Sequence, residues 1–173
     1  YSPFPEEINR RMTSSIASFH FPPTEQAKQN LLDEGFDKET IKVTGNTVID
    51  ALLTVSRKVE TDSSVYEEQF LNDYDIGFDA KKTILVTGHR RESFGNAFEN
   101  ICNAIKHIAN NNCVQIIYPV HMNPNVQKPV KNILRDISNV YLIPPQDYKS
   151  FIYLMKKSYI ILTDSGGVQE EAP

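Results

Sequence analysis

Thr83-Ile84-Leu85-Val86-Thr87 is an apolar run closed by a threonine at each end. It is followed by the stripe Phe94, Ala97, Phe98, Ile101, Ala104, Ile105 and Ile108, and then by a second apolar run from Val114 to Val120. The two runs are short and rich in β-branched residues, while the stripe recurs every three or four positions, so the reading is strand, helix, strand. The unit then repeats: Val126 to Arg135 reads as helix, Val140 to Ile143 as strand, Asp147 to Lys157 as helix and Tyr159 to Leu162 as strand. Strands alternating with helices predict an α/β fold built on a parallel, doubly wound sheet.

Upstream the pattern is looser. Thr24 to Glu34 reads as a helix stopped by Gly35, and Ile41-Lys42-Val43-Thr44 as a short strand ending at Gly45-Asn46. Val48, Ala51, Leu52, Val55 and Val59 share one helical face, and the acidic, polar stretch from Glu60 to Ala80 reads as a partly helical connection.

Bulk properties narrow the function classes. With 173 residues, 40% hydrophobic and 23% charged, the chain can bury an ordinary core and has a soluble globular composition. A net charge of −4 leaves no electrostatic footprint for nucleic acid or an anionic membrane. No apolar run reaches the roughly 18 to 20 residues that span a bilayer, and no signal pattern opens the chain, so a cytoplasmic protein is the expectation. Cys102 and Cys113 lack C-x-x-C spacing and are expected as reduced, partly buried thiols. The chain starts without Met in a proline-rich stretch and stops at Glu171-Ala172-Pro173, where a last helix has barely begun, so a piece of a longer protein is expected.

In a parallel sheet every strand's carboxyl end lies on one edge, where ligands of open α/β folds bind. Here those ends read Thr44-Gly45-Asn46, Gly88-His89-Arg90-Arg91-Glu92, Pro119-Val120-His121 and Asp164-Ser165-Gly166-Gly167. The last is the sharpest. An apolar strand that runs through a Ser-Gly-Gly turn into a helix leaves backbone N–H groups where the macrodipole favours an anion, and glycine lets a diphosphate approach closely. Glu171, six residues past Ser165, could accept hydrogen bonds from a ribose diol, which makes a nucleoside diphosphate the expected ligand. Ser-Gly-Gly is also a common tight connection, and Gln169-Glu170-Glu171 also reads as ordinary dipole compensation.

Arg90 and Arg91 match phosphate in bidentate geometry, and His89 could bond the diphosphate or stabilise leaving charge; a solvated surface cluster is the plainer alternative. His121 could line the same edge or serve its turn. Glu6 and Glu7, stiffened by Pro3 and Pro5, could supply a general acid or base, or merely open a helix. No G-x-G-x-x-G follows a strand and no P-loop motif occurs, so nothing calls for NAD. His89 and His121, with His20 and His107, lack zinc-site spacings, so no metal is expected.

Five segments together are similar to one family. Tyr1 to Arg10, Val43 to Leu52, Leu85 to Glu92, Tyr118 to Pro124 and the ending Ser165 to Pro173 resemble, in order, the non-hydrolysing UDP-N-acetylglucosamine 2-epimerases. The match is weakest between Glu60 and Ala80. The resemblance implies a glycosyltransferase-B-like architecture of two Rossmann-like domains with parallel sheets, of which residues 1–44 would be the tail of the first and 45–173 most of the second, nucleotide-binding domain. It implies interconversion of UDP-N-acetylglucosamine and UDP-N-acetylmannosamine through removal of the C2 proton, loss of UDP and re-addition, without NAD or metal. Position by position it implies Glu6 as a catalytic carboxylate and His89 at the diphosphate and leaving group. It further implies Ser165, Gly166 and Gly167 on the phosphates, Glu171 on the ribose, backbone near Phe151 on the uracil, and Arg90 and His121 on a substrate-like effector. A homodimer is implied, and little turnover from these 173 residues by themselves. Two rival readings share the seat: a UDP-sugar-dependent glycosyltransferase, and a non-catalytic UDP-sugar sensor.

Overall fold

The computed structural model describes residues 2–88, 95–111 and 113–173. The chain divides into two compact units, Tyr1–Asp50 and Ala51–Pro173.

The first unit holds helix α1 (Glu6–Ile16), helix α2 (Glu25–Asp33) and a 3₁₀ turn at Lys38–Thr40. Thr24 caps α2 by accepting from Ala27 N–H at 3.1 Å, and Gly35, at φ +90°, makes the left-handed exit. The strand expected at Ile41–Thr44 is instead a single parallel bridge between His20 and Ile41. The backbone bonds continue only as Lys42 N–H to His20 O at 2.9 Å and Thr44 N–H to Pro22 O at 3.2 Å. Pro22 and Pro23 have no N–H to return, so no ladder propagates.

The boundary between the units falls inside α3 (Thr47–Thr61). The second unit continues with α4 (Ser63–Tyr74), β1 (Lys82–Thr87), α5 (Asn96–Asn111), β2 (Val114–Pro119), α6 (Pro124–Leu134), β3 (Val140–Ile143), α7 (Tyr148–Lys157), β4 (Ile160–Thr163) and α8 (Gly166–Glu171). The four strands form one parallel sheet in the order β3-β2-β1-β4. Period-2 alternation divides their side chains between two cores. Ile84, Val86, Ile116, Tyr118 and Val140 pack with α5 and α6 on one face. Leu85, Ile117 and Ile143 pack on the other with α7, α4 and the later turns of α3. The chain moves outward from β1 to β3 with helices on the first face. It then returns past β1 to β4 with α7 on the second, as right-handed crossovers require when the direction of travel reverses.

Two expectations shift. The segment expected as a partly helical connection does hold a helix, α4, but it is also core: Phe70 is fully buried and stacks on Tyr153 at 5.8 Å, with Phe78 edge-on to the same ring at 5.4 Å. Tyr66, Phe70 and Tyr74 stand four apart, and that spacing is the helical signal within an otherwise polar stretch. On α5 the core face is Phe98, Cys102, Ile105 and Ala109, while Ile101 and Ala104 line an apolar groove beside β4. Burial pushes the Cys102 thiol up to about 11, and Cys113 is exposed.

Candidate functional site at the carboxyl edge

The order β3-β2-β1-β4 puts the reversal of winding between β1 and β4, and open α/β sheets carry their ligand crevice at such a switch point. A cavity of about 200 Å³ lies there. Each strand end contributes to its wall: Thr87 and Gly88 after β1, Pro119 and His121 after β2, Pro145 and Gln146 after β3, and Ser165 after β4. Phe151 from α7 and Val168 from α8 complete it. Larger hollows exist, such as the 450 Å³ groove between α5 and β4, walled mainly by Ile101, Ile105, Ile108, Ile161 and Leu162; the switch-point cavity differs from it in drawing on the ends of all four strands.

Hydroxyl groups set the geometry of this edge. Thr87 and Thr163 are register partners on β1 and β4, and their Oγ1 atoms share a hydrogen bond of 2.6 Å. Ser165 N–H donates to the same Thr163 Oγ1 at 3.0 Å, and Asp164 N–H donates to Thr87 O at 3.2 Å. Ser165 is then the N-cap of α8, accepting from Val168 N–H at 3.5 Å. Gln169 N–H returns to Ser165 O. The N–H groups of Gly166 and Gly167 are left without a partner among the described residues. Two adjacent amides pointing out of a helix start are an anion-binding arrangement.

From the core, buried Tyr118 donates its hydroxyl to the backbone O of cavity-lining Gly88 at 2.8 Å. A Cβ at Gly88 would stand 3.4 Å from that hydroxyl, at the near limit of ordinary contact. Burial is the main cause that drives the Tyr118 phenol far above its ordinary range. It therefore acts as a fixed donor. His121 accepts Asn123 N–H on Nδ1 at 3.1 Å, which places the proton of the neutral ring on Nε2.

At the start of α7, Asp147 caps Lys149 N–H at 2.9 Å and Ser150 N–H at 3.1 Å, and its backbone oxygen takes Phe151 N–H. These N–H contacts, the one from Ser150 first, hold the Asp147 carboxyl below its ordinary value. Gln146 donates to Pro144 O at 2.8 Å and to Tyr74 Oη at 3.3 Å. Glu171 is half-buried at the end of α8, about 9 Å along the helix from Ser165 at 1.5 Å per residue. Its charge adds to burial in raising the Tyr148 phenol.

Of the residues singled out from sequence, Ser165, Phe151 and His121 meet at this one cavity, with Gly166, Gly167 and Glu171 on the helix that leaves it. His89, Arg90, Arg91, Glu92 and Phe94 lie outside the described residues. Glu6 belongs to the first unit, where it is the exposed first residue of α1. Its neighbour Glu7 is committed elsewhere: Arg10 and Arg11 hydrogen-bond its carboxylate at 2.8 and 2.9 Å and hold it down at about 2, and Arg10 also bridges to Glu34 at 2.6 Å. The pair is thereby split into one carboxylate held in ion pairs and one, Glu6, without a partner among the described residues. Sequence reasoning missed Gln146, Tyr118 and the Thr87–Thr163 pair. Ile143-Pro144-Pro145-Gln146, where a strand stops at two prolines, was the available signal for the first.

A parallel, doubly wound sheet with a cavity at its switch point defines an α/β protein of the kind that binds its ligand at the carboxyl edge. Comparison narrows this. The sequence model of the UDP-N-acetylglucosamine 2-epimerases matches residues 1–173, and the chain belongs to that family. It is 56% identical over 174 residues to the UDP-N-acetylglucosamine 2-epimerase of Salmonella typhimurium. All of the chain aligns, but it spans only 46% of that relative, about half the length of the curated relatives it matches. The crystal structure of the Neisseria meningitidis enzyme bound to UDP-GlcNAc superposes with a TM-score of 0.90 at 47% identity, covering 100% of this chain and 46% of that one. The wall teichoic acid polymerase TagF superposes over 94% of the chain and 39% of its own with a TM-score of 0.52 at 16% identity, a likeness of fold of the glycosyltransferase-B kind.

Proposed function

We propose that the protein of which these residues form part is a UDP-N-acetylglucosamine 2-epimerase. In this reading residues 45–173 supply the nucleotide seat, and residues 1–44 close the other domain with its catalytic Glu6. The observation that carries it is the family match along all 173 residues, supported by a cavity at the switch point with two unpartnered glycine amides beside it. Ser165, Gly166 and Gly167 hold the diphosphate, Glu171 takes the ribose hydroxyls, and the uracil lies against Phe151. Removal of the sugar C2 proton to a carboxylate base, with Glu6 the candidate, sends that electron pair into a C1–C2 double bond. The C1–oxygen bond breaks and UDP leaves, its charge met by the glycine amides and by His89. UDP returns to C1 and a proton to C2 from the opposite face, which inverts that centre. Arg90 and His121 are assigned to a second, effector UDP-sugar.

The chemistry needs acid, base and diphosphate clamp in one closed cleft, so the 173 residues by themselves turn over little. The working form is read as a cytoplasmic homodimer that needs neither metal nor NAD; among the described residues no helix is long and apolar enough to cross a membrane.

The test is incubation of the full-length protein with UDP-N-acetylglucosamine in D₂O, followed by NMR at the sugar C2 position. Loss of the proton signal with a new manno-configured product is expected. Glu6→Gln should slow that exchange by roughly 100- to 10,000-fold while UDP binding persists. Retained C2 proton in the wild type, with UDP released only when an acceptor is added, would favour the transferase; no reaction at all would favour the sensor.

A further inference from the structure

Thr163 lies at none of the walls of the carboxyl-edge cavity, yet its hydroxyl is hydrogen-bonded to both sides of the switch point. It accepts Ser165 N–H at 3.0 Å, turning the chain from β4 into the Ser-Gly-Gly segment, and it shares a proton with Thr87 Oγ1 at 2.6 Å across the sheet. Thr87 lines the cavity on the opposite side. The consequence is a division of amides: Thr163 uses up the N–H of Ser165, the Ser165 hydroxyl uses that of Val168, and those of Gly166 and Gly167 are left without an acceptor among the described residues.

We propose that Thr163 is a positioning residue of the UDP seat, acting with Thr87 to fix the direction in which the two glycine amides point and their distance from Gly88 across the cavity. The proposal rests on the functional reading above and deepens it. A hydroxyl at position 163 has a geometric task that strand formation does not explain, because valine fills the same strand position with equal shape and β-branching. Removing that hydroxyl frees Ser165 N–H and leaves the turn held to β1 by the Asp164 N–H to Thr87 O bond without its side-chain tie, so the amides lose part of their preset aim and binding must order them.

The experiment is calorimetric titration of UDP into full-length wild-type protein, Thr163→Val and Thr163→Ser, with a thermal melt of each and steady-state kinetics on UDP-N-acetylglucosamine. Thr163→Val is expected to bind UDP roughly tenfold more weakly, with KM raised more than kcat is lowered, and Thr163→Ser to recover most of the affinity. Equal UDP affinity in wild type and a folded Thr163→Val would overturn the proposal. So would a Thr163→Ser as weak as Thr163→Val, since the hydroxyl would then not be the operative group. Should Thr163→Val not fold, Thr87→Val removes the other half of the pair, and unchanged UDP affinity there overturns the proposal equally. Tight UDP binding with no C2 exchange in the wild type would defeat the epimerase reading and leave this one standing.

Discussion

The two edges of the same sheet use the same residue type to opposite ends. At the amino edge, Thr83 is buried and accepts Gln115 Nε2 at 2.8 Å, and the other proton of that amide goes to Gly77 O at 2.8 Å. Every polar group named there has a protein partner, and the network pins the loop that precedes β1. At the carboxyl edge Thr87 and Thr163 likewise meet across strands, but the chain beyond them ends in two amides that nothing in the described protein accepts. A closed network contributes stability and asks for no ligand; an open one next to a cavity holds its donors ready for one. Threonines that meet or bond across a sheet thus identify a site only when the groups around them are left unpaired.

The largest change expected removes what both edges stand on. Phe70→Ala empties the centre of the aromatic cluster under the sheet and should cost about 3–5 kcal/mol in denaturant unfolding, degrading UDP binding only through loss of folded protein. Next comes a change confined to the open edge. Gly166→Pro deletes one unpartnered amide at the first helical position, where proline is well tolerated and Ser165, at φ −81° and ψ 121°, already has the conformation a proline requires before it. UDP affinity by calorimetry should fall roughly 10- to 100-fold with an unchanged melting temperature, and unchanged affinity would mean that the amide is not a ligand donor. Smallest is the matching change at the closed edge. Gln115→Leu leaves Gly77 O and the Thr83 hydroxyl without their donor, at about 1–3 kcal/mol of stability, and should leave UDP affinity per folded molecule untouched. A change in that affinity would break the distinction between the edges.

How much of this was legible depends on the range of the signal. The strands β1 to β4 and the helices between them follow from local period and apolar runs, and all four fall where the sequence places them. The Ile41–Thr44 strand did not form, because a ladder needs a donating partner and the segment opposite it holds Pro22 and Pro23. At the site, Ser165-Gly166-Gly167 is readable because glycine and an N-cap serine act locally. Gln146 was passed over because a strand end marked by prolines carries neither charge nor glycine. The Thr87–Thr163 pair could not be read at all: as sequence each is a β-branched residue at a strand end, and only the sheet brings them together.

That pair is 76 positions apart, whereas the Thr83–Gln115 contact at the other edge spans 32. Chain-closure entropy grows by about 0.6 kcal/mol for each doubling of the loop, so joining β4 to β1 costs about 0.8 kcal/mol more in lost chain freedom than joining β2 to β1. The strand pairing behind the carboxyl-edge cavity is therefore the more expensive of the two to close, and its upkeep falls on a β4 of four residues with a half-exposed Ile160 at its start. A nucleotide bound across β1 and β4 would supply from outside some of the cohesion that the chain, by its own connectivity, gives that junction last.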